Sequence, residues 1–258
     1  MVEAAAEAAA ESQCSRQHRV LMAYTALWLL SARLERGGPK DGLERGLENR
    51  LEGGLENAQQ SGLGGLGGKL VVAAGFSDAE AEIALGATLA GAAFLGIEPQ
   101  PETIKRAMRS GCCDFMVNNL DEALRILKNE LRKRQPVSIG LLANPAEVFA
   151  EMAERGVLPD VLADESASGP HALGQYQTLV QEWSRAAGMA PVAWSGAGQD
   201  AQFLKRLDAA ALAELPPEDA MRRRWLQLSP KYFRRDLPQT RVMWLTDPER
   251  ARLTVKSP

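Results

Sequence analysis

The stretch that most constrains this chain is residues 69–98, KLVVAAGFSDAEAEIALGATLAGAAFLGIE. Its first apolar run, residues 70–74, has the length and Val content of a strand buried on both faces. Gly75 follows, and glycine lets a chain turn sharply at no steric cost. Ser77-Asp78-Ala79-Glu80 has the Ser-x-x-Glu pattern of a helix start, in which Ser77 is expected to cap the first-turn amides. An Ala-rich helix and a second apolar run, residues 92–97, then lead to Glu98. Strand, glycine turn, helix, strand, and a carboxylate about twenty residues past the turn is the layout of a dinucleotide-binding βαβ unit. Most glycines of the phosphate-binding fingerprint are missing from it.

The alternation continues downstream. Residues 101–110 read as a helix. Leu120, Leu124, Leu127 and Leu131 form one helical stripe, with Asn119 and Glu122 capping its start. Pro136 breaks it, and residues 137–143 (VSIGLLA) read as a buried strand. Asn144 with Pro145 starts another helix, whose core face is Val148, Phe149 and Met152 and which ends at Gly156. Residues 159–163 read as a further strand. Strands alternating with helices of this length predict an α/β fold: a Rossmann-like, doubly wound parallel sheet with helices on both faces. Ligands of such sheets bind at the carboxyl ends of the strands, here residues 75–80, Glu98, Asn144 and residues 164–169.

The flanks are less regular. Residues 1–12 are low-complexity, expected as a frayed helix or disorder. Residues 17–36 predict a helix with Leu27, Leu30 and Leu34 on one face. Its apolar window, residues 20–30, is too short to span a bilayer and follows an acidic leader, which argues against a signal peptide and for a buried helix. Residues 37–68 carry glycine every few positions, which disfavours a continuous helix and predicts a linker. GLGGLGG at residues 62–68 precedes the first strand, whereas a phosphate loop must follow one. Tyr176, Leu179, Val180 and Trp183 mark one more amphipathic helix, and residues 241–245 (RVMWL) a last strand.

Composition narrows the classes. With 258 residues, 45% of them hydrophobic, the chain can build a sizeable core. A net charge of −3 gives no nucleic-acid footprint over the whole chain. Residues 201–258 hold twelve Lys or Arg against seven Asp or Glu, including Arg222–224 and Arg234–235. Without interleaved aromatics this reads as a solvated helix face rather than an RNA surface. Cys14, Cys112 and Cys113 make no CxxC, which fits a reduced, cytoplasmic setting. His18 and His171 make no metal site with these cysteines, and Glu80 and Glu82 read as a solvated helix start rather than an acid–base pair.

The phrases GKLVVAAG, LAGAAFLGIE, NLDEALRIL and PVSIGLLANPAEVFAEMAERGVLPDVLADESA, spread over residues 68–169, resemble the Rossmann-like domain of the urocanase (urocanate hydratase) family. WSGAGQD and LPQTRVMWLTDPERAR resemble the family more weakly near the C-terminus. The resemblance implies three parts: an N-terminal helix and glycine-rich linker over residues 1–67, the Rossmann-like domain over 68–190, and a shortened remnant of the family's catalytic region over 191–258. It also implies a cytoplasmic lyase of histidine catabolism that uses bound NAD+ as an electrophile against the imidazole ring of urocanate.

Carried over residue by residue, the family's cofactor contacts fall on Gly75, Glu98, Asn144, Pro145, Glu165, Ser166, Ala167 and Ser168. Glu98 matches the acid that holds a ribose hydroxyl, and Asn144-Pro145 stands where the family has Asn-Ala. Asp164 matches too, whereas Glu165-Ser166-Ala167-Ser168-Gly169 replaces Gln-Thr-Ser-Ala-His. The family's Gly-Met-Gly pyrophosphate contact falls on Asp78-Ala79-Glu80, and its catalytic Cys on Met243, so no catalytic residue is assigned. Two functions follow from this pattern. One is a urocanase-like protein that no longer hydrates urocanate and keeps its Rossmann-like domain as a binding or regulatory module for a small molecule. The other is an active hydratase, or a related imidazole-directed hydro-lyase, using NAD+ and completed by a partner chain. A homodimer or a second urocanase-like chain is the expected protein partner, with no membrane and no nucleic acid.

Overall fold

The computed structural model describes residues 2–34, 65–163, 176–194, 201–233 and 240–255. These divide into two compact units, one of residues 23–177 and one of residues 1–22 with 178–258. The glycine-studded segment up to residue 64 lies outside the described residues.

The unit of residues 23–177 holds a five-stranded sheet with all its strands parallel. In chain order the strands are β1 (Leu70–Ala74), β2 (Ala93–Glu98), β3 (Phe115–Val117), β4 (Val137–Leu142) and β5 (Val161–Ala163), and their spatial order is β3-β4-β2-β1-β5. The first three residues of β1 and all of β2 except Glu98 are apolar and buried, as strands covered on both faces must be.

The connecting helices are α2 (Asp78–Ala90), α3 (Pro101–Arg109), α4 (Leu120–Lys133) and α5 (Pro145–Glu154). Because parallel crossovers are right-handed, those running toward β3 and those running back cover opposite faces. Leu120, Leu127, Val148 and Met152 of α4 and α5 pack on Leu95, Ile97, Ile139 and Leu141. The other face of the same strands carries two neighbouring glycines, Gly96 and Gly140, paired in register. A Cβ at Gly140 would stand 2.5 Å from Ile104 of α3, so the glycine is what lets that helix approach.

Local sequence explains the helix ends. Asn119 Oδ1 accepts the Glu122 amide at 2.8 Å, and Asn144 Oδ1 accepts the Ala146 amide at 3.0 Å, with Pro145 in the first turn. Helix α1 spans Val2–Leu34. Within this unit its residues Ala23, Tyr24, Leu27 and Trp28 are at most 5% exposed, as a buried helix requires. Gly86 brings α2 against it: a Cβ there would lie 2.9 Å from the Tyr24 backbone nitrogen. No helix among the described residues is long and apolar enough to cross a membrane.

The second unit is built on an antiparallel pair, β6 (Met189–Trp194) with β7 (Arg241–Thr246). Helices α6 (Tyr176–Ala186), α7 (Ala201–Glu214), α8 (Ala220–Tyr232) and α9 (Asp247–Val255) complete its described structure. Trp183 and Trp244 meet edge-on at 5.2 Å, and Trp225 Nε1 donates to the Val242 carbonyl at 2.7 Å. Gln17 of α1 donates to both the hydroxyl and the carbonyl oxygen of Thr240.

Two arginines of the basic run are not solvated. Arg222 is 6% exposed and donates to Glu249 at 2.8 Å, with Asp219 at its Nε. Arg223 Nη1 donates to the carbonyls of Leu212 and Leu215, the orphan acceptors at the end of α7. Both side chains are thus taken up by internal polar groups. Arg234 and Arg235 lie outside the described residues.

Candidate functional site at the carboxyl edge of the sheet

Gly75 and Asn144 follow β1 and β4, and Glu98 ends β2, three strands that are neighbours in the sheet. They therefore share the edge at which doubly wound sheets bind ligands. The first two amides of the β1–α2 turn are bonded to the end of β2. Gly75, at φ +116°, donates its amide to the Ile97 carbonyl at 2.7 Å. The next amide, of Phe76, donates to Glu98 Oε2 at 3.1 Å, and Glu98 Oε1 accepts the Gln100 amide at 2.9 Å. Glu98 is 8% exposed, and each of its oxygens is engaged by backbone. Its carboxylate ties the end of β1 to the end of β2.

Phe76 fills the space beneath that tie. Its ring lies where a Cβ on Gly96 would stand 2.3 Å away, and it meets Phe94 edge-on at 5.5 Å. A glycine inside a strand was the one signal in the sequence for this close approach.

Ser77 departs from expectation. It is the N-cap residue of α2, extended at φ −61° and ψ −177°, yet its hydroxyl caps no helix amide. It donates instead to the Glu80 carboxylate, a charge-assisted bond that outcompetes the neutral amide cap. Glu80 is consequently held over the turn. Its carboxylate lies 3.8 Å, and Glu98 Oε2 4.0 Å, from the point where a side chain on Gly75 would begin. Glu82 is buried rather than solvated, and Asp78 is exposed with Arg106 at 4.0 Å.

Asn144 spends its side-chain oxygen on capping α5 beside Pro145. Residues 164–169, including Glu165, Ser166, Ala167 and Ser168, lie outside the described residues, as does His171.

Candidate reactive groups elsewhere are buried or structural. Met243 is 2% exposed in β7, between Val242 and Trp244, and faces Val192 across the pair. Burial pushes the Cys113 thiol up to about 12, and its Sγ donates to the Phe115 carbonyl at 3.1 Å. Burial, and then Arg19, holds the half-buried His18 imidazole below its ordinary value. No cluster of three metal-ligating side chains occurs among the described residues.

A five-stranded parallel sheet with a glycine turn after β1 and a buried carboxylate ending β2 defines a Rossmann-like domain. The model of the urocanase Rossmann-like domain matches residues 52–192, more than half of the chain. The chain belongs to the urocanase family. Its domain is of a fold compatible with NAD+. The side chains at the turn do not fit that cofactor: the carboxylates of Glu80 and Glu98 converge within about 4 Å of the point where a side chain on Gly75 would begin, and Asp78-Ala79-Glu80 carries side chains where a pyrophosphate needs glycines.

Proposed function

We propose that this chain is a urocanase-family protein that does not itself hydrate urocanate and keeps its Rossmann-like domain as a binding or regulatory module. The observation that carries this reading is Met243. A thioether has no proton to give or take, and at this position it sits inside an apolar strand with its neighbours buried. Neither Cys112 nor Cys113 substitutes for a thiol there, because both are buried in the other compact unit. The test is urocanate turnover by the pure protein with added NAD+, followed as loss of urocanate absorbance. Absence of turnover, beside an active family member as control, is the expected result, and measurable turnover sinks the reading.

A second reading is an active hydratase or related hydro-lyase completed by a partner chain. It is favoured by the placement of Gly75, Glu98 and Asn144 along one edge. It requires NAD+ to co-purify with the protein and a second urocanase-like chain to restore turnover.

A further inference from the structure

We propose that the β1–α2 turn is a self-closed carboxylate clasp that stands in place of a dinucleotide cradle, so that this Rossmann-like domain does not take up NAD+. The inference concerns the same domain as the reading above but stands on different residues from the Met243 argument.

Three features of the turn point the same way. A ribose diol is held by a carboxylate whose oxygens face outward to accept its hydroxyls. Here both oxygens of Glu98 turn inward, to the amides of Phe76 and Gln100, and the residue is 8% exposed. The close backbone approach that glycines provide is also lost. The positions after Gly75 carry Phe76, Ser77, Asp78, Ala79 and Glu80, and the Phe76 ring is locked against Gly96.

Charge is the third feature, and it decides between opposing effects. The Ser77 hydroxyl leaves the first-turn amides of α2 uncapped, so the helix end still offers an attraction equivalent to about half a positive charge. Against it stand the full negative charges of Glu80 and Glu98, each about 4 Å from the same point above Gly75. Two unit charges within about 4 Å stand against half of one at the helix end. A pyrophosphate is therefore repelled on balance, and the Ser77–Glu80 bond keeps one of the repelling groups in place.

The test is calorimetric titration of NAD+ into the full chain and into three variants, with folding checked by far-UV circular dichroism. The wild type is expected to show no saturable binding up to about 1 mM NAD+, the range of weak metabolite sites. Ser77→Gly/Asp78→Gly/Glu80→Gly is expected to bind at least about tenfold more tightly, as removal of Glu80 beside the turn and of Asp78 at the helix start implies, with Glu98 kept. Because three glycines at a helix start invite unfolding, Asp78→Asn/Glu80→Gln removes the same charges without them and is expected to move in the same direction. Glu98→Gln is expected to lower the melting temperature by about 3–8 °C, through loss of charge-assisted acceptors for two amides.

Saturable NAD+ binding by the wild type overturns the proposal. So does a folded charge-neutral variant that gains no affinity, or a Glu98→Gln protein that melts like the wild type. Binding of NAD+ without urocanate turnover would refute the clasp and leave the Met243 reading standing. Turnover without NAD+ binding would refute that reading instead, and NAD+-dependent turnover would refute both.

Discussion

Replacing Gly86 by alanine sets two effects of known size against each other. Gly86 lies inside α2, where alanine is the better helix former by about 1 kcal/mol. Helical propensity alone therefore predicts a more stable protein. The packing predicts the opposite. The new Cβ would lie 2.9 Å from the Tyr24 nitrogen, 3.1 Å from the Ala23 Cβ and 3.2 Å from the Ala23 carbonyl carbon. Two of these three are backbone atoms, so no rotamer change relieves the contact, and α1 as a whole must back away. Ala23, Tyr24 and Leu27 are at most 1% exposed, so that movement opens a packed interface. Overpacking of this kind costs about 1–3 kcal/mol, rising with how little the neighbours can give. With rigid backbone on one side, the upper half of that range applies, and the net loss is about 1–2 kcal/mol. For a unit of this size the melting temperature falls by about 2–8 °C. Urea unfolding of the full chain, read by far-UV circular dichroism, gives the shift in midpoint at constant slope. A Gly86→Ala protein with an unchanged or higher midpoint would refute the reasoning, because α1 would then not be held against α2 in the way described.

Two further outcomes follow from buried charges and thiols. Burial pushes the Glu249 carboxyl up, but hydrogen bonds from Arg222 and Thr246 outweigh it and hold the group below its ordinary value. A depressed folded value means that its contribution is complete above about pH 4.5, the unfolded value, and is lost as pH falls through the folded one. Glu249→Ala should remove about 2–4 kcal/mol at neutral pH by leaving Arg222 only Asp219 as a carboxylate partner, and should flatten the acid limb of the stability curve. An acid limb identical in wild type and variant would contradict this. Cys113, with its thiol pushed up to about 12, should resist iodoacetamide at pH 8 in the folded protein and react on unfolding, as peptide mapping by mass spectrometry would show.

The sheet was legible because its punctuation is local. Gly75, Pro136 and the Asn144-Pro145 pair mark element ends by backbone geometry alone, and the apolar runs between them match β1, β2 and β4. What escaped the sequence depends on distant partners. β3 has three residues, one of them the half-exposed Phe115, and is a strand only because β4 pairs with it. β6 contains Pro191 and is defined by its pairing with β7, some fifty residues later. At the candidate site the residue types were readable and their partners were not. Ser77 and Glu80 fit a capping pattern, yet the hydroxyl chose the carboxylate over the amide. Arg222 looked like part of a solvated run until Glu249, twenty-seven positions on, closed over it.

The last strand of the parallel sheet bears on the order in which the chain assembles. β5 is three residues long and, among the described residues, pairs only with β1, at the edge of the sheet. Asp160 fastens it: one carboxylate oxygen accepts Lys69 Nζ at 3.0 Å, the other accepts the Leu70 amide at 2.9 Å, and the Asp160 amide returns to the Leu70 carbonyl. These partners are 90 and 91 positions apart, so at ribosomal speeds β1 waits about 5–20 s with one edge bare after it emerges. A bare parallel edge is a template for foreign strands. A residue that grips both the side chain and the backbone at the start of β1 fixes the register of a strand too short to find it by its own hydrophobic pattern. Asp160 thus closes the period in which a nascent chain is most open to mispairing, a task separate from any ligand the finished domain holds.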